Sequence, residues 1–147
     1  MTLYTIGFSQ KSAEEFFKIL KSNNVIRLID IRLNNKSQLA GFANVKHLPY
    51  FLRIHDIEYL YRPDFAPSKE LLNGYKNKSI SWQEYEIQYR KILNQRNIIE
   101  KIDWNIFNDS VLLCSEPTAN QCHRRLLAEY LAQNRTDIEI IHLSHSR

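Results

Sequence analysis

Four short groups of polar residues hold the chemistry this sequence can offer: Gly7-Phe8-Ser9, Asp30-Ile31-Arg32, Ser115-Glu116 and Cys122-His123-Arg124. The last is the sharpest. A cysteine at the start of a helix, beside His and Arg, has three reasons to ionise early: the helix dipole, free amide donors and neighbouring positive charge. Cys122 is therefore a candidate nucleophile. The competing reading is an inert packed thiol, because successive helical residues point about 100° apart, and Cys122 would face the core if His123 and Arg124 face the site. Arg124, beside free helix amides, suits a phosphate or carboxylate. Asp30 and Arg32 are two apart on one strand and share a face, where they can pair with each other or with a ligand. In an enzyme, Glu116 or Asp30 would be the general base and His123 an acid or orienting group. Gly7 would permit a tight turn after the first strand, and Ser9 would offer a hydroxyl near the next helix.

These groups need elements that bring them together. Leu3–Ile6 reads as a strand stopping at Gly7, and Ser12-Ala13-Glu14-Glu15 is a capping box opening a helix with Phe16, Ile19 and Leu20 on one face. Val25 to Ile31 reads as a buried strand, Leu48 to Ile54 as part of a helix and Ile57 to Tyr61 as a strand, after which Pro63 and Pro67 mark a loop. Ser81-Trp82-Gln83-Glu84 is a second capping box, and Trp82, Tyr85, Tyr89, Ile92 and Leu93 follow at helical spacing. This aromatic stripe reads as core rather than as a base-stacking surface. Ser110 to Cys114 reads as another buried strand, Cys122 to Gln133 as a helix and Ile138 to Leu143 as a last strand. The alternation predicts one α/β domain over residues 1–147. It is a three-layer, Rossmann-like or rhodanese-like fold, with a mostly parallel sheet flanked by helices. Ligands of such sheets bind beyond the carboxyl ends of the strands, where all four polar groups are expected.

Composition narrows the function classes. The 147 residues are 44% apolar and 24% charged, with only 3 Gly and 4 Pro, which sets aside disordered and collagen-like chains. No apolar run approaches the ~20 residues of a membrane span and the amino terminus has no signal core, so a cytoplasmic protein without a membrane partner is expected. The net charge of +4 permits nucleic-acid binding without requiring it. Two cysteines are no disulfide framework, so Cys114 and Cys122 are read as thiols or metal ligands. The Cys and His residues lack the paired spacing of a structural zinc site, so no metal is expected. With no Gly-rich dinucleotide motif, Walker loop or Gly-x-Ser-x-Gly, no cofactor is expected either.

The leading reading is a polar pocket in which Arg32 and Arg124 hold an anionic small molecule or a nucleic-acid phosphate. A second is a non-catalytic nucleic-acid-binding module using Tyr59, Tyr61 and Trp82, and a third is a buried polar network serving an unknown protein partner. Cys114, at a strand end before a loop and helix, stands where rhodaneses carry their nucleophile, and Leu28-Ile29-Asp30-Ile31-Arg32 resembles the early strand motif of rhodanese domains. Sulfur transfer is therefore the alternative enzymatic reading. A phosphatase loop would need Arg where Asn120 stands, and the stretch after Cys114 holds Pro117 and no glycine. On these grounds Cys114 reads as a buried strand cysteine.

Taken in order, Thr5-Ile6-Gly7-Phe8-Ser9, Leu28-Ile29-Asp30-Ile31-Arg32, Ile57-Glu58-Tyr59, and Leu112-Leu113-Cys114-Ser115-Glu116 followed by Cys122-His123-Arg124 resemble the family called domain of unknown function 488 (DUF 488). The resemblance spans nearly the whole chain, and its most specific part is the Leu-Cys-Ser-Glu and Cys-His-Arg pair. Phe8 stands where the family often has His. The resemblance implies an α/β fold and a shared polar site at Gly7, Ser9, Asp30, Arg32, Glu116, Cys122, His123 and Arg124. It brings no established reaction.

Overall fold

The computed structural model describes residues 1–36, 41–115 and 121–144. Five strands, β1 (Thr2–Gly7), β2 (Arg27–Asp30), β3 (Glu58–Tyr61), β4 (Ser110–Cys114) and β5 (Glu139–His142), form one sheet in the order β3-β2-β4-β1-β5. Every neighbouring pair is parallel, with Gly7 beside Cys114 and Asp30 beside Leu113. Six α-helices connect them: α1 (Ala13–Ser22), α2 (Leu48–Ile54), α3 (Lys69–Lys76), α4 (Trp82–Gln95), α5 (Ile98–Lys101) and α6 (His123–Asn134). The expected three-layer α/β fold is present.

The central strand β4 shows why the sheet is covered on both sides. All five of its residues are buried. Val111 and Leu113 point to the layer of Phe16, Leu20, Leu48 and Leu52 from α1 and α2. Leu112, between them, points to the layer of Tyr85, Tyr89, Leu127 and Leu131 from α4 and α6. The helix after β1 and the helix after β4 thus lie on opposite faces, and their connections run in opposite directions across the sheet. That makes the gap between the carboxyl ends of β1 and β4 a topological switch point, the place where α/β sheets open a crevice.

The two capping boxes act as the sequence implies, the hydroxyls of Ser12 and Ser81 each accepting the amide of the third residue on, Glu15 and Glu84, at 3.1 Å. Three expectations are corrected. The second strand begins at Arg27, because the Val25 amide closes onto the Leu20 carbonyl at the end of α1 and is lost to the ladder. The loop expected from Pro63 onward contains a short 3-10 turn and then α3, capped by the Ser68 hydroxyl accepting from the Leu71 amide. The turn after β1 does not use Gly7, since no glycine among the described residues has positive φ. Gln10 takes the left-handed conformation instead, at φ 61°.

The packing yields a graded stability prediction. Leu112→Ala, at a fully buried central position, should cost about 2–5 kcal/mol, and Ser81→Ala, which removes one cap bond, about 1 kcal/mol. Urea denaturation measures both. A Leu112→Ala loss below that of Ser81→Ala would contradict this packing.

Candidate functional site

Beyond the carboxyl ends of β1, β2 and β4, against α3, α4 and the start of α6, lies a cavity of about 930 Å³. Its placement follows from local rules. The strand-end amides of Phe8 and Ser9 bond to the carbonyls of Cys114 and Ser115, fastening the β1 and β4 exits together. The β2 exit is fastened by charge. Asp30, fully buried, accepts from the Nε and Nη2 of Arg32 at 2.8 Å each, from the Arg32 amide at 3.2 Å and from the Tyr59 hydroxyl at 2.7 Å. Sequence spacing implied this pair. It also leaves a surplus: Nη1 of Arg32, a residue only 4% exposed and on the cavity wall, has no hydrogen-bond partner among the described residues. The guanidinium lies 5.4 Å from the Phe8 ring centre, so its plane is held from two sides.

Three more cations, Lys69, Lys76 and Lys78, line the same cavity, and among the described residues no carboxylate does. Aromatic rings line the cavity as well. Trp82 stacks on Tyr85 at 4.9 Å and 16°, and Tyr75 leans on both. The stripe is core at Tyr85, Tyr89 and Leu93, as expected, while Trp82 is half-buried and faces the cavity. Tyr59, proposed above as an exposed stacking residue, instead has its hydroxyl tied to Asp30. Burial first, and then the Asp30 carboxylate, push its ionisation well above the usual phenol range.

The start of α6 splits two ways. Cys122 and His123 line the cavity, whereas Arg124, fully buried, points inward, donating from Nε to the Thr5 hydroxyl at 3.3 Å and from Nη1 to the Cys114 sulfur at 3.1 Å. Arg124 is thus not brought to the cavity wall as an anion holder, because it sits between the strands and their helix. The two sulfurs are joined in a Cys114–Cys122 disulfide, which corrects the reading of both as thiols or metal ligands. They stand eight positions apart in sequence, and the fold brings the end of β4 against the N-cap of α6. Among the described residues no three His, Cys, Asp or Glu side chains are grouped to hold a metal.

His123 Nε2 lies 3.0 Å from the Ile31 carbonyl, which can only accept, so Nε2 carries the proton and Nδ1 the lone pair. Burial pulls the ring's pKa down to about 4, outweighing the carbonyl bond. At neutral pH the ring has no proton to give beyond the one bound to Ile31, which fits the orienting role better than the acid role. Gly7 closes β1 beside Cys114, and Ser9 is held through its amide. Glu116 lies outside the described residues.

Sequence reasoning passed over Lys11. It is 8% exposed, its Nζ has no hydrogen-bond partner among the described residues, and burial, then the Arg124 charge, lower its pKa. A lone lysine between a turn and a capping serine gives no sign of burial. The cavity lysines of α3 were missed because Pro63 and Pro67 suggested a loop, although Ser68 before Lys69-Glu70 is a capping signal.

His123 yields a pH prediction. An unfolded ring protonates near 6.5 and the native ring near 4, so the unfolded chain binds more protons between those values. Stability is then full above pH 6.5 and falls as the pH drops towards 4, by roughly 3 kcal/mol from this ring. His142, also shifted down by burial, adds in the same sense. Denaturation curves of the protein and of His123→Gln from pH 4.5 to 7.5 isolate the His123 share, and an acid slope unchanged in the variant would contradict it.

A comparison with curated proteins and a comparison with solved structures each found no match. A family model described as "Domain of unknown function DUF488" matches residues 12–131, which includes β2, β4, the cavity lysines and the first turn of α6. With that match spanning most of its length, and with the five-stranded parallel sheet in place, the chain belongs to the DUF488 family.

Proposed function

We propose that the cavity binds the phosphate of a nucleotide or of a nucleic acid. The observation that carries this reading is Arg32 Nη1, a buried cationic donor with no hydrogen-bond partner among the described residues, on a residue that lines a cavity with three lysines and no described carboxylate. Leaving a charged donor dry and unpaired is costly, and an anion removes that cost with a short charge-assisted bond. Asp30 fixes the guanidinium beforehand, so little side-chain entropy is lost when the ligand arrives. A cavity of about 930 Å³ exceeds what inorganic phosphate fills, and the Tyr75–Trp82–Tyr85 wall supplies apolar surface for a sugar and base. His123 Nδ1, a neutral acceptor, would take a donor from that ligand.

Arg32→Lys tests this reading with least damage, since it keeps a cation against Asp30 while removing the third nitrogen. Titration calorimetry with adenosine monophosphate and with a short oligodeoxynucleotide should show affinity reduced about tenfold or more, a change of about 1.4 kcal/mol. Lys76→Ala should lower the slope of log affinity against log salt by about 0.7 for the single strand. Equal binding by Arg32→Lys, or affinity indifferent to salt, would remove the phosphate from the cavity.

A further inference from the structure

The Cys114–Cys122 disulfide is not used by the anion-binding reading, yet it stands on the wall of the same cavity. Its two sulfurs are not equivalent. Cys122 lines the cavity, at the N-cap of the twelve-residue helix α6. Cys114 lies behind it, fully buried at the end of β4, with Nη1 of Arg124 donating to its sulfur at 3.1 Å. In thiol–disulfide exchange the attacked sulfur must be reachable, and the other must leave as a thiolate, faster the better its negative charge is stabilised. Access and charge point the same way here. Of the two, Cys122 is the one on the cavity wall, 4% exposed where Cys114 is 0%, and Cys114 is the sulfur whose thiolate a guanidinium already faces.

We propose that Cys114–Cys122 is an exchange-active disulfide, reduced by an anionic low-molecular-weight thiol that enters the cavity. The preference for an anion rests on the proposed phosphate-binding reading, and the exchange itself does not. The incoming thiolate attacks Cys122 Sγ and forms a new S–S bond with it. The Cys114–Cys122 bond breaks, and its electron pair leaves on Cys114 Sγ, which accepts the bond from Arg124 as a thiolate. A second thiolate attacks the sulfur of the bound thiol and releases Cys122 as a thiolate at the helix N-terminus, where the dipole favours negative charge. Two thiols become one small-molecule disulfide, losing two electrons and two protons, and the protein becomes a dithiol.

The oxidised full-length protein is treated with 2-mercaptoethanesulfonate and, separately, with 2-mercaptoethanol, two thiols of like size differing in charge. Rates are compared per thiolate, and acid-quenched samples are mapped by peptide mass spectrometry. The mixed disulfide is expected on Cys122 with both thiols, and the sulfonate should react about tenfold faster in low salt, an advantage lost in high salt. Adducts on Cys114, or divided equally, overturn the exchange centre, as does reduction that needs unfolding or a protein whose cysteines stay free under an oxidising thiol buffer. Adducts on Cys122 at equal rates for both thiols overturn the anion preference alone. Cys122→Ser gives an independent readout: alkylation of Cys114, now a single thiol beside Arg124, should titrate below the ~8.5 of a free thiol. A midpoint at or above that value removes Arg124 from the mechanism.

Discussion

The Asp30–Arg32 pair is the constraint on which the site depends. Both residues are buried, and the desolvation of two such charges is repaid only by near-complete hydrogen bonding. The Asp30 carboxylate is well supplied, by two guanidinium nitrogens, the Arg32 amide and the Tyr59 hydroxyl. Arg32 is not, because its third nitrogen is buried with no hydrogen-bond partner among the described residues. The pair therefore does more than end a strand. Tyr59 from β3 and Phe8 from the β1 exit both close on it, so three strand ends are set relative to one another by one ion pair and a ring.

The sheet order decides what meets that cation. The β1 and β4 exits stay fastened as far as Ser9 and Ser115, and the two strands send their helices to opposite faces, which leaves room beyond the strand ends. Helix α6 begins in that gap and spreads its first residues around its axis. Cys122 and His123 go to the cavity and Arg124 goes to Thr5 and Cys114. One turn thus supplies a wall, a neutral acceptor and a buried cation that faces away from the wall. Helices α3 and α4 complete the lining, α3 contributing Lys69, Tyr75 and Lys76 and α4 contributing Trp82 and Tyr85. Cationic and aromatic side chains thus line one cavity.

Much of this was legible in the residues themselves. The capping serines at 12 and 81 announced their helices, since a hydroxyl three residues before a free amide is a local device. Ser110 to Cys114 was legible as a strand to the residue, since an unbroken apolar run between polar turns has few other fates. Asp30 and Arg32 could be paired from their spacing alone, given an extended backbone. What failed was whatever depends on rotation about a helix or on distant closure. The sequence places Cys122, His123 and Arg124 in one turn, but which of them faces the cavity is set by how α6 packs on β1 and β4. The joining of Cys114 to Cys122 likewise depends on the chain returning to the β4 exit, which spacing does not encode. The burial of Lys11 belongs to the same class. Its neighbours in sequence are polar, and its environment is set by burial and by the charge of Arg124, more than a hundred positions away.

The central claim is that Asp30 holds Arg32 so that one guanidinium nitrogen remains open to an anion. Its most direct test is the nitrogen-resolved NMR spectrum of Arg32 in arginine-labelled protein at low temperature, where a guanidinium gripped on one side rotates slowly and its nitrogens separate. On addition of adenosine monophosphate, the account predicts a downfield proton shift at Arg32 Nη1 while Nε and Nη2, bound to Asp30, hold their positions. Nη1 unmoved at saturating ligand, or a free-rotating guanidinium with averaged nitrogens before any ligand is added, would contradict it.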